Sequence, residues 1–278
     1  MTAATRGSGG VGPDRQTRKL ADLAARLTPR DRQLCRLLAD HRVLTSHQLT
    51  ELAFGHLDTA EDRLRTLTTL EVLDRFRPRR DTGSAPYHYV LGPLGAALLA
   101  AEADQDPAEL GYRRDRALAL AHSQRLAHLL GVNGFFAALT RAARHQPDAG
   151  LEVWWSEQRC AAHWGRLVHP DGYGRWRDHH ARVDFFLEYD RGSEPLGRLA
   201  GKLPGYLELA HATGIRTPLL VWLPTPAREA TARQALAGSG LPVATATPHP
   251  DHTPAGPLWL PLHASGPRRR LAQLATAW

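Results

Sequence analysis

Residues 181–190 read ARVDFFLEYD, an apolar stretch that ends in two carboxylates. The apolar centre predicts a buried strand. Glu188 and Asp190 stand two positions apart, so on a strand their side chains point to the same face. Two carboxylates on one face of an apolar strand are costly unless a cation lies between them. We therefore expect this strand to decide the fold of the carboxyl-terminal half and to carry its site.

A third carboxylate and a lysine accompany this strand. The chain has 35 Lys and Arg residues, of which only Lys19 and Lys202 are lysines. Lys202 lies in the helix predicted to follow the strand, and Asp171 lies at the start of the strand predicted to precede it. If these two strands form a hairpin, Asp171 lies next to Glu188 at the same edge of the sheet. Lysine is a compact, titratable charge that arginine does not replace, so Lys202 is a candidate for chemistry.

These residue types predict the centre of a metal-dependent nuclease. The predicted catalytic residues are Asp171, Glu188, Asp190 and Lys202. The three carboxylates are expected to hold Mg²⁺, the usual hard cation beside phosphates. The metal would acidify water, and the lysine would stabilise the phosphoryl charge.

A structural alternative stays open for each of these residues. The Pro-Asp-Gly sequence at 170–172 is common in turns. In this alternative, Lys202 is a solvated helix residue. Glu188 and Asp190 belong to a structural ion network with Arg182, Arg191 or Arg198.

The first third of the chain has a helical pattern followed by a hairpin. Thr28 and Pro29 predict a helix start, and leucines at helical spacing continue to His41. Thr45 caps a second helix that ends near Gly55, and Asp58 or Thr59 caps a third. Residues 73–80, a turn and residues 87–91 predict two paired strands, followed by a helix at 92–103. The pattern predicts a winged helix-turn-helix domain at residues 28–103.

In such a domain the third helix enters the major groove and the wing lies along the DNA backbone. The groove candidates are Thr59, Arg63, Arg65 and Thr66, and the phosphate candidates are Arg75, Arg77, Arg79 and Arg80. Four arginines within a few residues of a turn favour double-stranded DNA as the partner. The alternatives are a solvated basic loop and a winged helix that binds protein.

Composition sets the remaining expectations. The 278 residues carry a net charge of +7 with a pI of about 10.0, which favours a polyanionic partner. No apolar run approaches the roughly 20 residues of a membrane span, so we expect a soluble cytoplasmic protein without a membrane partner.

Residues 1–27 are expected to be a disordered leader or a leader helix, with the first 15 to 20 residues disordered. Cys35 and Cys160 match no metal or redox spacing and are expected to be buried.

The carboxyl-terminal part, residues 112–278, alternates helices and strands and ends in a Pro/His-rich tail. Helices are predicted at 112–145, 196–213 and 228–238. Strands are predicted at 151–157, 181–190 and 217–223, with a turn or strand start at 169–174 and a last strand at 258–260. This order is typical of an α/β domain.

Pro170-Asp171-Gly172, the EYDRG stretch at 188–192, and Lys202-Leu203 with Tyr206 resemble the replication-relaxation family of bacterial plasmid and mobile-element proteins. The resemblance covers roughly residues 28–225. It implies an α+β protein in which a winged helix precedes an α/β domain similar to the PD-(D/E)xK restriction-endonuclease fold. Carried over by position, Asp171 matches the PD aspartate and Glu188 the D/E residue. Asp190 stands where the usual nuclease has lysine, so either Lys202 substitutes from the helix or the site binds without cutting.

The resemblance implies a DNA-binding protein of a plasmid or mobile element that acts in replication, maintenance or transfer. Its nuclease-like domain would support Mg²⁺-dependent DNA cleavage, and other plasmid or mobile-element proteins would be partners. The alternative function is a non-catalytic regulator or adaptor whose degenerate nuclease fold contacts protein. A tyrosine transesterase acting through Tyr206 is a weaker alternative, because no metal-binding histidine triplet accompanies this tyrosine.

Overall fold

The computed structural model describes residues 15–79, 83–106, 109, 111–144 and 146–278. The protein combines helices with two sheets, which confirms the α+β class. A three-stranded antiparallel sheet lies in the amino-terminal part, and a six-stranded mixed sheet lies in the carboxyl-terminal part. Among the described residues, no helix has both the length and the apolar character that a membrane span requires.

The amino-terminal part contains five helices and three strands among the described residues. In chain order they are α1 (Arg15–Arg26), α2 (Pro29–His41), β1 (Leu44–Thr45), α3 (Ser46–Ala53), α4 (Leu57–Thr69), β2 (Leu73–Phe76), β3 (His88–Leu91) and α5 (Pro93–Glu102). The strand order is β1-β3-β2, and both pairs are antiparallel. The three predicted helices and the hairpin are therefore present. The expected disorder of the first 15 to 20 residues is wrong from Arg15 onward, because α1 begins there and packs its Leu23 against the amino-terminal core.

Side-chain caps explain why two of these helices begin where the sequence predicts. Thr28 accepts a hydrogen bond from the Asp31 N–H, and the Asp31 carboxylate accepts one from the Thr28 N–H. Thr45 and Gln48 form the same reciprocal arrangement at the start of α3. Such a pair satisfies N–H groups that have no partner within the helix. The third helix instead begins at Leu57 after His56, which gives no side-chain cap, so the predicted caps Asp58 and Thr59 are wrong.

The carboxyl-terminal part is built around the longer sheet. Its elements are α6 (Arg114–Ala119), a 3-10 helix (Leu120–His122), α7 (Leu126–Ala143), β4 (Ala149–Ser156), α8 (Glu157–Trp164), β5 (Gly172–Asp178), β6 (Ala181–Tyr189), α9 (Leu196–Ala200), α10 (Leu203–Thr213), β7 (Leu219–Trp222), α11 (Pro226–Leu236), β8 (Val243–Ala246), β9 (Leu260–Pro261) and a 3-10 helix (Leu271–Thr276). The sequence patterns predicted neither α8 nor β8. The predicted helix at 196–213 is two helices, with Lys202 between them.

The six strands follow the order β4-β5-β6-β7-β8-β9. The first three are antiparallel, β6, β7 and β8 are parallel, and β9 is antiparallel to β8. Phe185 and Leu187 face one core together with α7, whereas Phe186 faces a second core with α10. The apolar centre of residues 181–190 is thus explained by a strand that is covered on both faces. Cys35 and Cys160 are free and buried, as predicted.

Helix α7 joins the two parts of the protein. Its Asn133 side chain donates hydrogen bonds to the carbonyls of His41 and Val43, at 3.1 and 2.7 Å. Gln48 of α3 donates in return to the Leu130 carbonyl at 2.8 Å. Phe136 stacks on Trp154 of β4, which in turn stacks on His41. Buried polar and aromatic contacts therefore fix the amino-terminal part against the sheet of the carboxyl-terminal part.

His41 is buried in this contact, with its ring 3.5 Å from that of Trp154, and its Nδ1 has no hydrogen-bond partner. Burial lowers the pKa of His41 to about 3. A histidine with a depressed pKa binds protons more readily in the unfolded chain, so it destabilises the fold as pH falls below its ordinary pKa near 6.5.

We predict that a His41→Phe variant removes this pH dependence while keeping the ring stack. Between pH 7.5 and pH 5, wild type should lose about 2 kcal/mol of unfolding free energy relative to the variant. Urea denaturation of both proteins at the two pH values measures the difference. Equal losses would show that His41 is protonated, or is exposed to water, in the folded protein.

Candidate functional site

Glu188 is a carboxylate inside the carboxyl-terminal core. It is the penultimate residue of β6, opposite Val221 of the parallel strand β7, and only 3% of it is exposed. Both oxygens have donors: Lys202 Nζ lies 2.5 Å from Oε2, and the Tyr206 hydroxyl lies 2.6 Å from Oε1. Burial and the nearby Asp171 raise the pKa of Glu188 to about 7, although Lys202 and Tyr206 oppose this shift.

Lys202 reaches this carboxylate because of where α10 begins. The residue is the N-cap of α10, and its backbone N–H still closes the preceding turn at Leu199. Its ammonium also lies 3.3 Å from the His169 carbonyl and 3.9 Å from Asp171 Oδ1. Burial alone would lower the pKa of Lys202, but Glu188 and Asp171 raise it above its ordinary value. The sequence-based expectation that Lys202 lies at the same edge as Glu188 is therefore confirmed.

Asp171 approaches the same lysine from the start of β5. The Tyr189 N–H donates to its Oδ2 at 2.7 Å, and the Asp171 N–H donates to the Leu187 carbonyl. The other oxygen, Asp171 Oδ1, lies 3.2 Å from Nε2 of His128 in α7. The hydrogen bond to Asp171 raises the pKa of His128. Sequence patterns gave no signal for His128, because its helix is remote from β5 in the chain.

Asp190 is held by a different cation. Arg228 at the start of α11 donates from Nε to Asp190 Oδ2 at 2.6 Å, and the Gly192 N–H donates to Oδ1 at 2.8 Å. The alternative of a structural ion network predicted Arg182, Arg191 or Arg198 as partners of the strand carboxylates. Arg182 instead pairs with Glu152, and Arg198 pairs with Glu194. Asp171, Glu188 and Lys202 thus converge, whereas Asp190 lines the same cavity with both oxygens engaged elsewhere.

Within the described ranges, no group of three or more His, Cys, Asp or Glu residues is arranged to hold a metal ion. Magnesium beside phosphates often needs fewer protein ligands, because one or two carboxylates act together with substrate phosphates and water. Asp171 and Glu188 form such a pair, and the Lys202 ammonium now lies between them. A hard cation at this pair would take the place of the Lys202 ammonium, whereas a cation at Asp190 would have to displace Arg228.

A cavity of about 810 Å³ opens above these residues. Its floor includes Asp171, Glu188 and Lys202, and one wall is formed by the end of the first 3-10 helix and the start of α7. The segment from Asp190 to Lys202, which contains α9, also lines the cavity. Glu157, the first residue of α8, also lines the cavity. The site is therefore a partly open recess lined by carboxylates and one lysine.

Tyr206 is unsuited to act as a free nucleophile in this arrangement. It is 4% exposed, and its hydroxyl donates to Glu188. Burial and the Glu188 carboxylate raise its pKa well above the ordinary value of 10.0. The hydroxyl is therefore protonated at neutral pH and serves to satisfy a buried carboxylate.

In the amino-terminal part, Arg63 of α4 turns inward. Its guanidinium forms two hydrogen bonds to the buried Asp31 carboxylate, with Nε 2.9 Å from Oδ1. This pair ties α4 to α2 and removes Arg63 from the set of free groove candidates. Arg65 is exposed but pairs with Asp62 one turn earlier, at 3.0 Å. Thr59 and Thr66 are exposed on the same helix.

The predicted phosphate contacts follow β2. Arg75 and Arg77 lie over the Tyr87 ring, with their guanidinium carbons 4.1 and 4.0 Å from its centroid. Stacking of this kind restrains a long side chain while leaving its N–H groups free to donate. Arg79 is exposed. Arg80 lies outside the described residues.

Residues 35–220 match the replication-relaxation family. Comparisons with curated proteins and with solved structures give no match. The family match covers the helices and hairpin from α2 onward and the strands that carry Asp171 and Glu188.

We predict that Lys202→Met destabilises the protein by about 2 kcal/mol, because Glu188 then stays buried without its cation. Glu188→Gln in the Lys202→Met background should recover about half of that loss, so the effects of the two substitutions should not add. Urea denaturation of the two single variants and the double variant completes the cycle.

Arg198→Met is the matched control, since it removes an exposed ion pair with Glu194 worth less than about 0.5 kcal/mol. Additive effects of the two site variants would contradict the pairing described above.

Proposed function

Because the chain belongs to the replication-relaxation family, we propose that it is a DNA-binding protein of a plasmid or mobile element. Membership of this family suggests a role in replication or transfer. The amino-terminal part would bind double-stranded DNA as a winged helix. The carboxyl-terminal part would hold a nuclease-like site at Asp171, Glu188 and Lys202.

The order of the amino-terminal elements supports the winged-helix proposal. Helices α2, α3 and α4 are followed by the β2–β3 hairpin, and β1 adds a third strand to it. In proteins of this class the third helix meets the major groove and the hairpin follows the backbone. Arg75, Arg77 and Arg79 stand at the hairpin, where phosphates would lie. Because Arg63 is paired with Asp31, the hairpin would contribute more of the affinity than α4.

The convergence of Lys202 with Glu188 and Asp171 is the observation that carries the proposed site. The order of α7, three antiparallel strands, α10 and the parallel strand β7 is similar to the core implied by the family resemblance. Glu188 and Asp171 would take a cation, and Lys202 would place its charge against a phosphoryl group. Magnesium bound there would supply a Lewis acid and an acidified water. Tyr206 would hold Glu188 in position throughout.

A non-catalytic adaptor is the second candidate function, and the Asp190–Arg228 pair favours it. The position at which a PD-(D/E)xK nuclease has its lysine carries an aspartate that is neutralised by an internal arginine. In that case the second part would contact a protein of the same plasmid or mobile element. The group of Asp171, Glu188 and Lys202, here called the Lys202 cluster, would then be structural.

The duplex-binding proposal predicts a loss of affinity in an Arg77→Ala/Arg79→Ala variant. Two lost phosphate contacts should lower the slope of log affinity against log salt by about two. Fluorescence anisotropy with labelled duplex DNA at several salt concentrations measures both quantities. Arg166→Ala, which removes an exposed arginine far along the chain from the hairpin, should leave the slope unchanged. An unaltered slope in the double variant would remove the hairpin from the DNA surface.

The cleavage proposal predicts that wild type cuts supercoiled or linear DNA when Mg²⁺ or Mn²⁺ is added. Lys202→Arg should reduce the rate about a hundredfold or more, because arginine keeps the charge but not the compact geometry. Glu188→Gln should have a similar effect, and both variants should retain duplex binding. A wild-type protein that neither cuts DNA nor gains thermal stability on metal addition would favour the adaptor function.

A further inference from the structure

The cavity above the Lys202 cluster is bordered by arginines that the fold leaves free. Arg42, Arg125 and Arg191 are exposed and line the cavity, and within the described part of the chain none of their guanidiniums forms an ion pair or a hydrogen bond. Arg228 and Arg198, which also line it, are engaged by Asp190 and Glu194. Free arginines on separate segments are available for several successive anionic groups.

Arg42 reaches the cavity from the amino-terminal part through a strained turn. Its backbone has φ 68° and ψ −48°, and the Val43 N–H donates to the His41 carbonyl across it at 2.8 Å. These are the features of a γ-turn of the rare, strained kind. A residue with a side chain seldom adopts this conformation, and strain of this type concentrates at sites of binding or catalysis.

The surroundings of Arg42 hold this turn in place from both sides. Asn133 of α7 donates to the carbonyls of His41 and Val43, the residues on either side of Arg42. The stack of His41 on Trp154 fixes the residue before it. The buried contact between the two parts of the protein therefore places one arginine of the amino-terminal part at the edge of the carboxyl-terminal site.

Aromatic side chains accompany the basic ones. His128 and Tyr189 line the cavity, with ring centroids 5.9 Å apart in an edge-to-face arrangement. Basic side chains combined with aromatic rings are typical of sites that bind a single nucleic-acid strand, because phosphates meet the cations and bases stack on the rings. The volume of about 810 Å³ is in the range of sites that bind a drug-sized ligand, so the cavity has room for part of a strand.

We infer that this cavity binds a single strand of DNA, with Arg42 holding one of its phosphates beside the Lys202 cluster. The inference rests on the proposed function, which it deepens by naming the form of DNA that enters the second site. Duplex DNA would be bound by the hairpin, and an unpaired strand would be bound in the cavity. Arg42 would join the two activities, since it belongs to the part that binds the duplex.

The experiment compares binding of a labelled oligothymidylate of about 12 nucleotides and of duplex DNA to the full chain. Arg42→Gly is the decisive variant, because glycine accepts the turn without strain but lacks the guanidinium. We expect oligothymidylate affinity to fall at least fivefold and its salt slope to fall by about 0.7, with the melting temperature unchanged or raised. Arg125→Ala on another segment should act in the same direction, whereas Arg166→Ala should have no effect.

The Arg77→Ala/Arg79→Ala variant separates this inference from the proposed function. It should weaken duplex binding and leave oligothymidylate binding within twofold of wild type. An equal loss of oligothymidylate affinity in that variant would place the strand on the hairpin and overturn the inference. Unchanged oligothymidylate affinity in the Arg42→Gly variant would also overturn the inference. So would a wild-type protein that binds oligothymidylate no more tightly than it binds thymidine monophosphate. Each of these results leaves duplex binding by the hairpin intact as a separate proposal.

Discussion

The burial of the Glu188 carboxylate is the constraint on which the architecture of the carboxyl-terminal part depends. A carboxylate taken out of water is tolerated only when its oxygens have donors and its charge has a partner. Lys202 and Tyr206 meet both requirements from the start of α10, which must therefore begin directly over the end of β6. The break between α9 and α10 serves this placement, since it sets Lys202 at a helix start with its ammonium aimed at the sheet edge.

Local signals were sufficient to predict much of the fold. Thr28 and Thr45 marked the first residues of α2 and α3 because capping depends on side chains within three positions of each other. The apolar centre of β6 predicted a strand, and its spacing placed Glu188 at the edge that Lys202 reaches. The roles of these residues in metal binding and cleavage remain predictions.

The partners that the sequence did not predict come from distant segments. Asp190 meets Arg228 because β7 lies parallel to β6, which brings the start of α11 next to the end of β6. The periodicity of the sequence does not indicate which strands are neighbours. His128 reaches Asp171 through the packing of α7 on the sheet, where Gly131 leaves room for the Tyr189 ring. Helix α8 was missed because it buries only Cys160 and so shows no apolar stripe, and the Val-Ala-Thr-Ala sequence of β8 lacks the bulky apolar residues that marked the other strands.

The inward turn of Arg63 has a consequence for the proposed binding of plasmid or mobile-element DNA. An arginine that forms two hydrogen bonds to Asp31 cannot also read a guanine edge, so in the proposed DNA complex α4 would present Thr59, Thr66, Asp62 and an ion-paired Arg65 to a groove. Discrimination between base sequences would then rest on DNA shape and on the phosphates that the hairpin meets. Such a protein would tolerate drift in its target, which suits an element that moves between host genomes more than one tied to a single operator.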